Sequence, residues 1–598
     1  MKSGQDLLHW LEMGGGARHL RLAAALSIAV AFSLLVSWKQ FRGPRSESTL
    51  EQADVARQLA NGRGVTTLVN HPQTAAVLEK RGRHFDAATA YPELHHAPLY
   101  PLVVAGALRL LPSSTRSALF AAPAQPQDGF GGDYLLLGVN LALLWLAAWL
   151  TFELGRRLFE PRVGWVAAIA LLVSVSLWQE TLAVNGTPLL MVLALACFLI
   201  WRRIDEQADE AQPGVGRVLV SCAALGVGCG LLFLTEYSAG ALVLVAVAYA
   251  AARFRGRRWH WPAVALLAGS FLLTAAPWAA RNISLTGNPL GLAAQNAALK
   301  AGDPTADPAA VRATLSSERP EVDLRKLGNK TLTYIEDNLK SRVWSGGAMW
   351  FTAFFVAGWL YAFRSRTVNR MRWVFSAAFA SLMLSQAAFN SGESERLVVV
   401  WLAPLVIIFG AGFFFVLLGS NPVLGAWPRA AACVLLSLQA LPLLHDAMAP
   451  PPAVRFQYPP YFPKLLRGVR TELEVRNAAG RFGVMSDIPA GVAWYAGIRT
   501  WAQPPRLRDF HAITLEQPIG ELLLTPRTLD KPFFSELNAR AILPGALRPS
   551  ANRFGEWGEI YAGLLTGTMP AGFPLVPQKI SENLYVLLNP SLPPPSAR

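Results

Sequence analysis

The residues that could do chemistry lie just outside the long apolar runs of the sequence, and three of them are acids that follow the first run closely. Glu47, Glu51 and Asp54 lie in a stretch whose pattern predicts a short helix over 50–61. Residues three apart share a helix face, so Glu51 and Asp54 can point the same way. A carboxylate here could act as general base on an acceptor hydroxyl. The alternative is a solvated helix face with acids in its first turn.

A second polar cluster ends the same loop, in 84-HFDAATAYPELHHAPLYP-101. Asp86, Glu93 and His95 are possible ligands for a divalent metal cation, and His96 could meet a lipid phosphate. Their spacing matches no fixed metal motif, and the alternative is a polar surface loop that enters an interfacial helix. A metal is therefore a possible cofactor and no cofactor is certain.

Three further polar residues stand at the ends of later apolar runs. Arg281 follows one run closely, at headgroup depth, where a guanidinium suits a phosphate; a Trp–Arg interfacial anchor is the alternative. Arg396 precedes another run in a loop otherwise poor in cations. Glu180 lies in a short loop and could be a second acid that faces the first loop, or a helix-end residue that faces water.

The elements that must position these residues are membrane helices. The chain is 53% hydrophobic and 16% charged, whereas soluble domains carry about 25% charged residues. Apolar runs of about 18 or more residues can cross a bilayer, which excludes a soluble enzyme, a disordered chain and a disulfide-built module. We predict about eleven spans, near 20–38, 134–155, 163–179, 187–202, 216–234, 237–253, 260–280, 346–363, 373–389, 398–419 and 429–446.

Cations at alternate span ends predict the orientation, because short cytoplasmic loops are rich in Lys and Arg. The same rule accounts for the net charge of +15, so the lipid bilayer is the expected partner and nucleic acid is not. The predicted organisation is a cytoplasmic N-terminus, a transmembrane domain with two large outer loops, and a small extracytoplasmic α/β domain. Their bounds are 1–19, 20–446 with outer loops 39–133 and 281–345, and 447–598. The short apolar segment 98–112 is predicted to be a re-entrant or interfacial helix rather than a span.

The order of several weak motifs resembles a known family. After the first span come A-x-x-L-A-x-G-x-G over 56–64, H-A-P-L-Y-P over 96–101 and P-W-x-x-R-N over 277–282, and then Arg396 with Pro404 before a late span. This order resembles the GT-C superfamily of polyprenyl-phosphate-sugar glycosyltransferases. The branch it resembles holds protein O-mannosyltransferases and the lipid A aminoarabinose transferase. The likeness covers about 20–446.

The resemblance implies a multi-pass enzyme of the bacterial inner membrane. It would move a sugar, with inversion, from a polyprenyl-phosphate-linked donor to a protein, lipid or glycan acceptor on the outer face. Glu47 or Glu51 falls nearest the family's catalytic acid, with Asp54 third and Glu180 near the second outer acid.

The family's phosphate-binding positions can also be matched. His96, Arg281 and Arg396 match basic positions expected near the donor phosphate. Two departures concern the acceptor: the first acid site lacks the family's usual Asp, and position 397 is Leu where Tyr is common.

Two other functions remain open from the residues. A lipid-linked transporter or flippase would keep charges near span centres, and the sequence has almost none there. A non-catalytic membrane scaffold subunit would tolerate loss of the acids in the first loop.

Overall fold

The computed structural model describes most of the chain, in segments separated by short gaps. These are residues 15–84, 90–121, 129–210, 214–299, 308–389, 396–420, 427–449, 463–476, 481–525, 528, 555–581 and 584–592. The predicted metal residue Asp86 lies outside the described residues.

Within the described residues, helices make up most of the fold, and eight short strands complete it. The α-helices are α1 Gly15–Gln40, α2 Glu47–Ala60, α3 Pro72–Lys80, α4 Leu99–Leu110, α5 Ser113–Leu119, α6 Gly131–Leu158, α7 Pro161–Leu172, α8 Val175–Leu182, α9 Thr187–Asp209, α10 Val215–Thr235, α11 Leu242–Arg253, α12 His260–Thr286, α13 Pro308–Ala313, α14 Leu324–Asp337, α15 Val343–Ser345, α16 Trp350–Trp359, α17 Arg366–Phe389, α18 Val398–Trp401, α19 Ala403–Ser420, α20 Pro428–Met448, α21 Pro463–Arg476, α22 Pro489–Gly491, α23 Leu507–Glu516 and α24 Gly555–Thr566. Tighter 3₁₀ turns occupy Tyr237–Ala241 and Gly291–Ala297, and wider π turns occupy Asn338–Arg342 and Val492–Ala496. The strands are β1 Thr66–Thr67, β2 Val69–Asn70, β3 Tyr91–Pro92, β4 Gly483–Ser486, β5 Thr500–Ala502, β6 Ile519–Leu524, β7 Val576–Ser581 and β8 Leu584–Leu588.

Helices occupy every position where a span was predicted, but they differ in length and polarity. Within the described residues, six are long and apolar enough to cross a membrane: α6, α9, α10, α12, α19 and α20. The pair α7 and α8, predicted as one span over 163–179, bends by 54° at its break and makes a seventh if counted as one. Four of the predicted spans, at α1, α11, α16 and α17, are not among these helices. Helices α11 and α16 are short, and α17 begins with four residues of mixed polarity, Arg366 to Asn369, followed by two more arginines. The chain is a polytopic α-helical membrane protein, as predicted.

Small residues let the helices of the bundle approach closely. A Cβ atom on Gly226 of α10 would overlap the carbonyl oxygen of Leu267 in α12, and one on Gly230 would lie 2.7 Å from Cβ of Thr274. Two glycines four apart on one helix face bring helix axes together in a bilayer, where packing rather than water drives association. Three of the four cysteines, Cys197, Cys222 and Cys229, are buried and all four are unpaired.

Helix α2 carries the acids of the first loop, and it begins where capping chemistry dictates. The hydroxyl of Ser46 accepts a hydrogen bond from the amide of Thr49 at 3.2 Å, which satisfies one of the free N–H groups of the first turn. The predicted helix over 50–61 is therefore correct in position and begins three residues earlier. Nearly all of α2 is buried, because the bundle covers one side and the C-terminal part of the chain covers the other.

The C-terminal sheet recruits a strand from the first loop. Its order is β2–β5–β4–β6–β8–β7, with parallel pairing from β2 to β6 and antiparallel pairing beyond. Val69 of β2 pairs with Thr500 of β5. Two nitrogens of Arg57 donate to the carbonyl oxygens of Trp494, at 2.9 Å, and Ala493, at 2.6 Å. The first loop and the tail therefore form one packed unit above the bundle.

A buried carboxyl in this sheet predicts how stability depends on pH. Glu521 on β6 is 1% exposed; burial, with a smaller effect of Glu472, raises its pKa to about 8. The folded state thus holds this proton more tightly than the unfolded chain, and stability falls as pH rises between the ordinary carboxyl pKa and about 8. At pH 9 we expect Glu521→Gln to stabilise the fold by about 2 kcal/mol. Thermal unfolding of the full chain should show this gain at pH 9 and none at pH 4. The exposed Glu516→Gln is the control, and an equal gain there would contradict the assignment.

Candidate functional site

Glu51 lies at the centre of a buried group of basic side chains. It is 3% exposed, and its Oε1 lies 2.8 Å from Nε2 of His71. Its Oε2 lies 3.6 Å from Nδ1 of His96 and 3.8 Å from Nη1 of Arg312. No hydrogen-bond partner for this second oxygen occurs among the described residues. Since buried carboxylate oxygens are normally bonded, Oε2 is the atom placed to receive a proton.

The basic neighbours keep this carboxyl ionised. Burial raises the pKa of Glu51, but His71, His96 and Arg312 together outweigh burial and hold the pKa below its ordinary value. An ionised carboxylate in a dry site interacts strongly with a hydroxyl that approaches it. The group is therefore in the right state for general-base chemistry across the physiological pH range.

The loop after β3 orients His96 through Glu93. Oε1 of Glu93 accepts from the backbone N–H of His95 at 2.6 Å and of His96 at 2.8 Å, and it lies 3.2 Å from Nδ1 of His96. Burial acts to raise the pKa of Glu93, yet His96 and His95 hold it well below the usual range. The other ring nitrogen of His96 lies 3.1 Å from Oγ of Ser48. Glu93 thus fixes the ring while Nε2 faces α2.

Arg396 reaches the same region from the start of α18. Its Nη1 donates to the carbonyl oxygen of Thr235 at 3.1 Å and lies 3.3 Å from Oε2 of Glu236. Gly186 packs against it, since a Cβ at this position would be in ordinary van der Waals contact with the guanidinium carbon at 3.5 Å. A guanidinium has five N–H donors, so these two bonds leave capacity for a phosphate.

Two adjoining cavities connect these groups. The first is lined by His96, Asn185, Glu236, Tyr237 and Arg396. The second is lined by Glu47, Glu51, His71 and Asp487. Ser48 and Arg312 line both cavities. The first cavity has more basic than acidic lining residues, and we call it the basic cavity; the second has three carboxylates, and we call it the acidic cavity.

Glu47 is the second acid of this site. It is half-buried, and the amide of Ala490 donates to its Oε2 at 3.3 Å. Like Glu51, it lines the acidic cavity.

Asp54 is placed apart from both cavities. It is fully buried, and its oxygens accept from Arg57 at 2.6 Å and from the amide of Leu68 at 2.7 Å. Asp54 therefore fastens α2 to the strand that follows, and of the three predicted acids of α2 only Glu47 and Glu51 line a cavity.

Glu180 and Arg281 also lie outside the lining of the two cavities. Glu180 accepts from Asn185 at 2.8 Å and Thr187 at 3.2 Å, so it orients Asn185, which does line the basic cavity. Arg281 was predicted to follow the helix end, but α12 continues to Thr286, because the chain leaves the helix only at Gly287 with φ of 77°. Its guanidinium donates to the carbonyl oxygens of Glu93 and Val65, each at 2.9 Å, and stacks on Trp278. Arg281 thus braces the loop that carries His96.

The predicted metal residues do not assemble into a cation site in the described part of the chain. No group of three or more His, Cys, Asp or Glu side chains suited to a metal occurs there. Glu93 already accepts two amide N–H bonds, and Nε2 of His95 lies 3.2 Å from the hydroxyl of Thr74. Burial and the charge of Arg312 lower the pKa of His95, so this imidazole is neutral.

The sequence analysis missed several residues that line the cavities: Ser48, His71, Asn185, Glu236, Tyr237, Arg312 and Asp487. Asp487 follows β4, where its Oδ2 accepts from Thr525 and Thr528 and its buried Oδ1 has no partner among the described residues. His71 precedes α3 in the first predicted outer loop, and Arg312 lies in the short helix α13 of the second. The His-Pro pair at 71–72, a typical helix start, was the one local signal available.

Comparisons with known proteins agree on the fold. No protein-family model matches the chain, and no curated protein matches it by sequence. Among solved structures, the Archaeoglobus fulgidus oligosaccharyltransferase in complex with zinc and sulfate is similar over 87% of this chain and 70% of its own, with 12% identity and a TM-score of 0.53. The Cupriavidus metallidurans ArnT bound to undecaprenyl phosphate is similar over 95% of this chain and 98% of its own, with 13% identity and a TM-score of 0.51.

A further structure of the archaeal enzyme adds to this likeness. AglB from Archaeoglobus fulgidus, in complex with an inhibitory peptide and a dolichol-phosphate, is similar over 89% of this chain and 74% of its own, with 12% identity and a TM-score of 0.51. At such identities the likeness concerns the fold. The chain therefore shares the fold of these solved structures, which agrees with the multi-pass fold that the resemblance implied.

Proposed function

From the GT-C fold as premise, we propose that this chain is a membrane glycosyltransferase that moves a sugar from a polyprenyl-phosphate donor to an acceptor hydroxyl or amine. The observation that carries the proposal is the wall shared by the two cavities. Ser48 and Arg312 line both the cavity that holds Glu47 and Glu51 and the cavity that holds His96 and Arg396. A transferase that displaces a phosphate needs these two kinds of group to meet at one reacting carbon.

The acidic cavity would hold the acceptor. Oε2 of Glu51 would take the acceptor proton as the acceptor atom attacks the anomeric carbon of the sugar. The new bond forms on the face opposite the phosphate, and the bond from the anomeric carbon to the phosphate oxygen breaks. A single displacement of this kind inverts the anomeric centre. Glu47 is the second candidate for the base.

The basic cavity would hold the donor phosphate. The departing phosphate keeps the electron pair of the broken bond and gains negative charge. Arg396 and Arg312, with His96, are fixed cations or donors aimed at that charge, and preorganised groups of this kind lower a barrier most in a site that excludes water. Glu93 and Arg281 would act as positioning residues, because one holds the ring of His96 and the other holds the loop.

The neighbours by fold support the classes of ligand. One of them was solved with undecaprenyl phosphate and another with a dolichol-phosphate and a peptide. Both ligands carry a phosphate on a long isoprenoid chain, which suits a site at the ends of membrane helices.

Ion pairs at the opposite end of the bundle support the proposed orientation. Asp205 near the end of α9 lies 3.3 Å from Nε of Arg253, which ends α11, and 2.8 Å from Nε of Arg370 in α17. The ends of α9, α11 and α17 that are predicted to be cytoplasmic are therefore in contact with one another. We place the chain in the bacterial inner membrane with this end in the cytoplasm and residues 447–598 outside, above the site.

The test is a transfer assay on the full chain in nanodiscs. A panel of undecaprenyl-phosphate-linked hexoses and pentoses, labelled in the sugar, is incubated with a cell-envelope extract as acceptor source. We expect one donor to yield labelled product with inverted anomeric configuration, and free undecaprenyl phosphate to protect the chain against thermal unfolding. Absence of both binding and transfer across the panel would refute the proposal, and retention of configuration would refute the single displacement.

A further inference from the structure

A third cavity, at the C-terminal end of α2, is rich in arginine. It has a volume of about 470 Å³ and is lined by side chains of α2, the segment after it, α5 and α21. Five arginines line it, Arg57, Arg63, Arg116, Arg467 and Arg470, and its lining includes no carboxylate. An uncompensated concave cluster of guanidinium groups repels itself and attracts anions.

Carboxylates outside the lining neutralise two of the five charges. Asp54 lies 2.6 Å from Nη2 of Arg57, and Glu474 lies 2.7 Å from Nε of Arg470. Arg63, Arg116 and Arg467 have no carboxylate within salt-bridge distance among the described residues. The cavity therefore keeps about three positive charges that the described chain does not balance.

The guanidinium of Arg467 lacks both a carboxylate and a full set of hydrogen-bond acceptors among the described residues. One of its terminal nitrogens donates to the carbonyl oxygen of Phe120, while its Nε is shielded from solvent and has no hydrogen-bond partner in the described residues. Burial and the charges of Arg470 and Arg57 lower the pKa of this guanidinium to about 10. A buried donor without a partner is costly, and an anion in the cavity would supply both the charge and the acceptor.

The cavity opens beside an apolar surface. Helix α4 precedes α5 directly, and its Leu110 is 87% exposed and its Leu102 44% exposed. Exposed leucines on a short apolar helix are typical of a segment that lies in the membrane interface. With α4 in the interface, the mouth of the cavity would lie near the depth of lipid phosphates.

We propose that this cavity is a phosphate-binding site, separate from the two cavities of the candidate transferase site. A phosphate offers several acceptor oxygens and up to two negative charges, and guanidinium groups bind it through paired hydrogen bonds. The ligand is the phosphate of an anionic lipid headgroup or of a soluble phosphate compound, since the recognising chemistry is the same. Along α2, Arg57 lies ~9 Å from Glu51, at about 1.5 Å per residue.

Binding is tested with the full chain in dodecylmaltoside micelles. Two probes are titrated, fluorescent phosphatidic acid in the micelle and inorganic pyrophosphate in solution, with phosphatidylcholine as the neutral comparison. The variant Arg63→Gln/Arg116→Gln removes two of the unbalanced charges at exposed or half-buried positions. The matched control, Arg325→Gln/Arg506→Gln, removes two charges from exposed arginines elsewhere.

We expect saturable binding of at least one probe by the native chain, weakened about tenfold or more in the cavity variant and less than twofold in the control. Binding of phosphatidic acid alone would identify a lipid as the source, and binding of pyrophosphate alone a soluble phosphate. No saturable binding of either probe, or equal weakening in the control, would overturn the proposal. Because none of these arginines lines the transferase site, this outcome leaves the transfer assay unaffected.

Discussion

Glu51→Gln is expected to lower kcat/KM for sugar transfer by about 10³-fold while the chain still folds. The amide keeps the shape of the side chain and can still contact His71, but it cannot accept the acceptor proton, and a positioned general base contributes about 10²–10⁴-fold. Glu51 is favoured over Glu47 because its second oxygen is buried without a partner among the described residues and lies near both His96 and Arg312. Initial rates with the donor found in the panel measure the effect.

The controls separate chemistry from folding. Glu79→Gln changes an exposed acid on α3 in the same loop and should leave the rate unchanged. Glu51→Asp keeps the charge but withdraws it by one methylene, so partial activity is expected. Full transfer by Glu51→Gln, with unfolding temperatures equal across the set, would remove Glu51 as the base and direct attention to Glu47.

Arg396→Gln is expected to lower kcat/KM by about 10²–10³-fold, the effect of removing one preorganised donor from a developing negative charge. The loss should fall mainly on kcat, because charge on the phosphate grows towards the transition state. The affinity for free undecaprenyl phosphate should also fall, and binding can be measured without turnover. Arg396→Lys should recover part of the rate, since it keeps the charge without the paired donors.

The partner of Arg396 complicates a single substitution. Glu236 lies 3.3 Å from Nη1, so Arg396→Gln leaves a carboxylate beside the phosphate. Arg396→Gln/Glu236→Gln restores neutrality and isolates the loss of the cation. The phosphate affinity of Arg281→Gln is the second comparison. Arg281 is also an arginine near the first loop, but it binds backbone oxygens there and does not line the basic cavity. Equal phosphate affinity in the native chain and in the neutral double variant would contradict the assignment of Arg396.

The parts of the fold that depend on local chemistry were predictable from the sequence. Span positions follow from apolar length, which is a property of each segment alone. Helix α2 follows from a serine cap and its pattern. Arg281 was placed wrongly relative to the helix end because an apolar run and its helix need not stop together: polar residues after Ala280 continue the helix to Gly287, where a left-handed residue ends it.

The site itself depended on contacts that no local pattern encodes. Glu51 and Asp54 are three residues apart and of the same type, yet one faces His71 and the other faces Arg57. Which of the two acids faces a cavity is decided only by how the tail and the first loop pack around α2. Arg312 and Asp487 come from segments far along the chain, and each was one charged residue among many in its loop. The motif order pointed to the first loop as the candidate site, and tertiary packing decides which of its residues line the cavities.

The pairing of β2 with β5 has a consequence for how the protein is made. Arg57 and its acceptor at Trp494 are 437 residues apart in the chain. At the usual rate of synthesis, ~5–20 residues per second, roughly 20–90 s pass between translation of the first loop and translation of its partner strand. During that interval Asp54 and Arg57 have each other but lack the tail, and the edge of β2 is open to pairing with another chain. Nascent copies should therefore be most prone to aggregation and proteolysis before the last quarter of the polypeptide is translated.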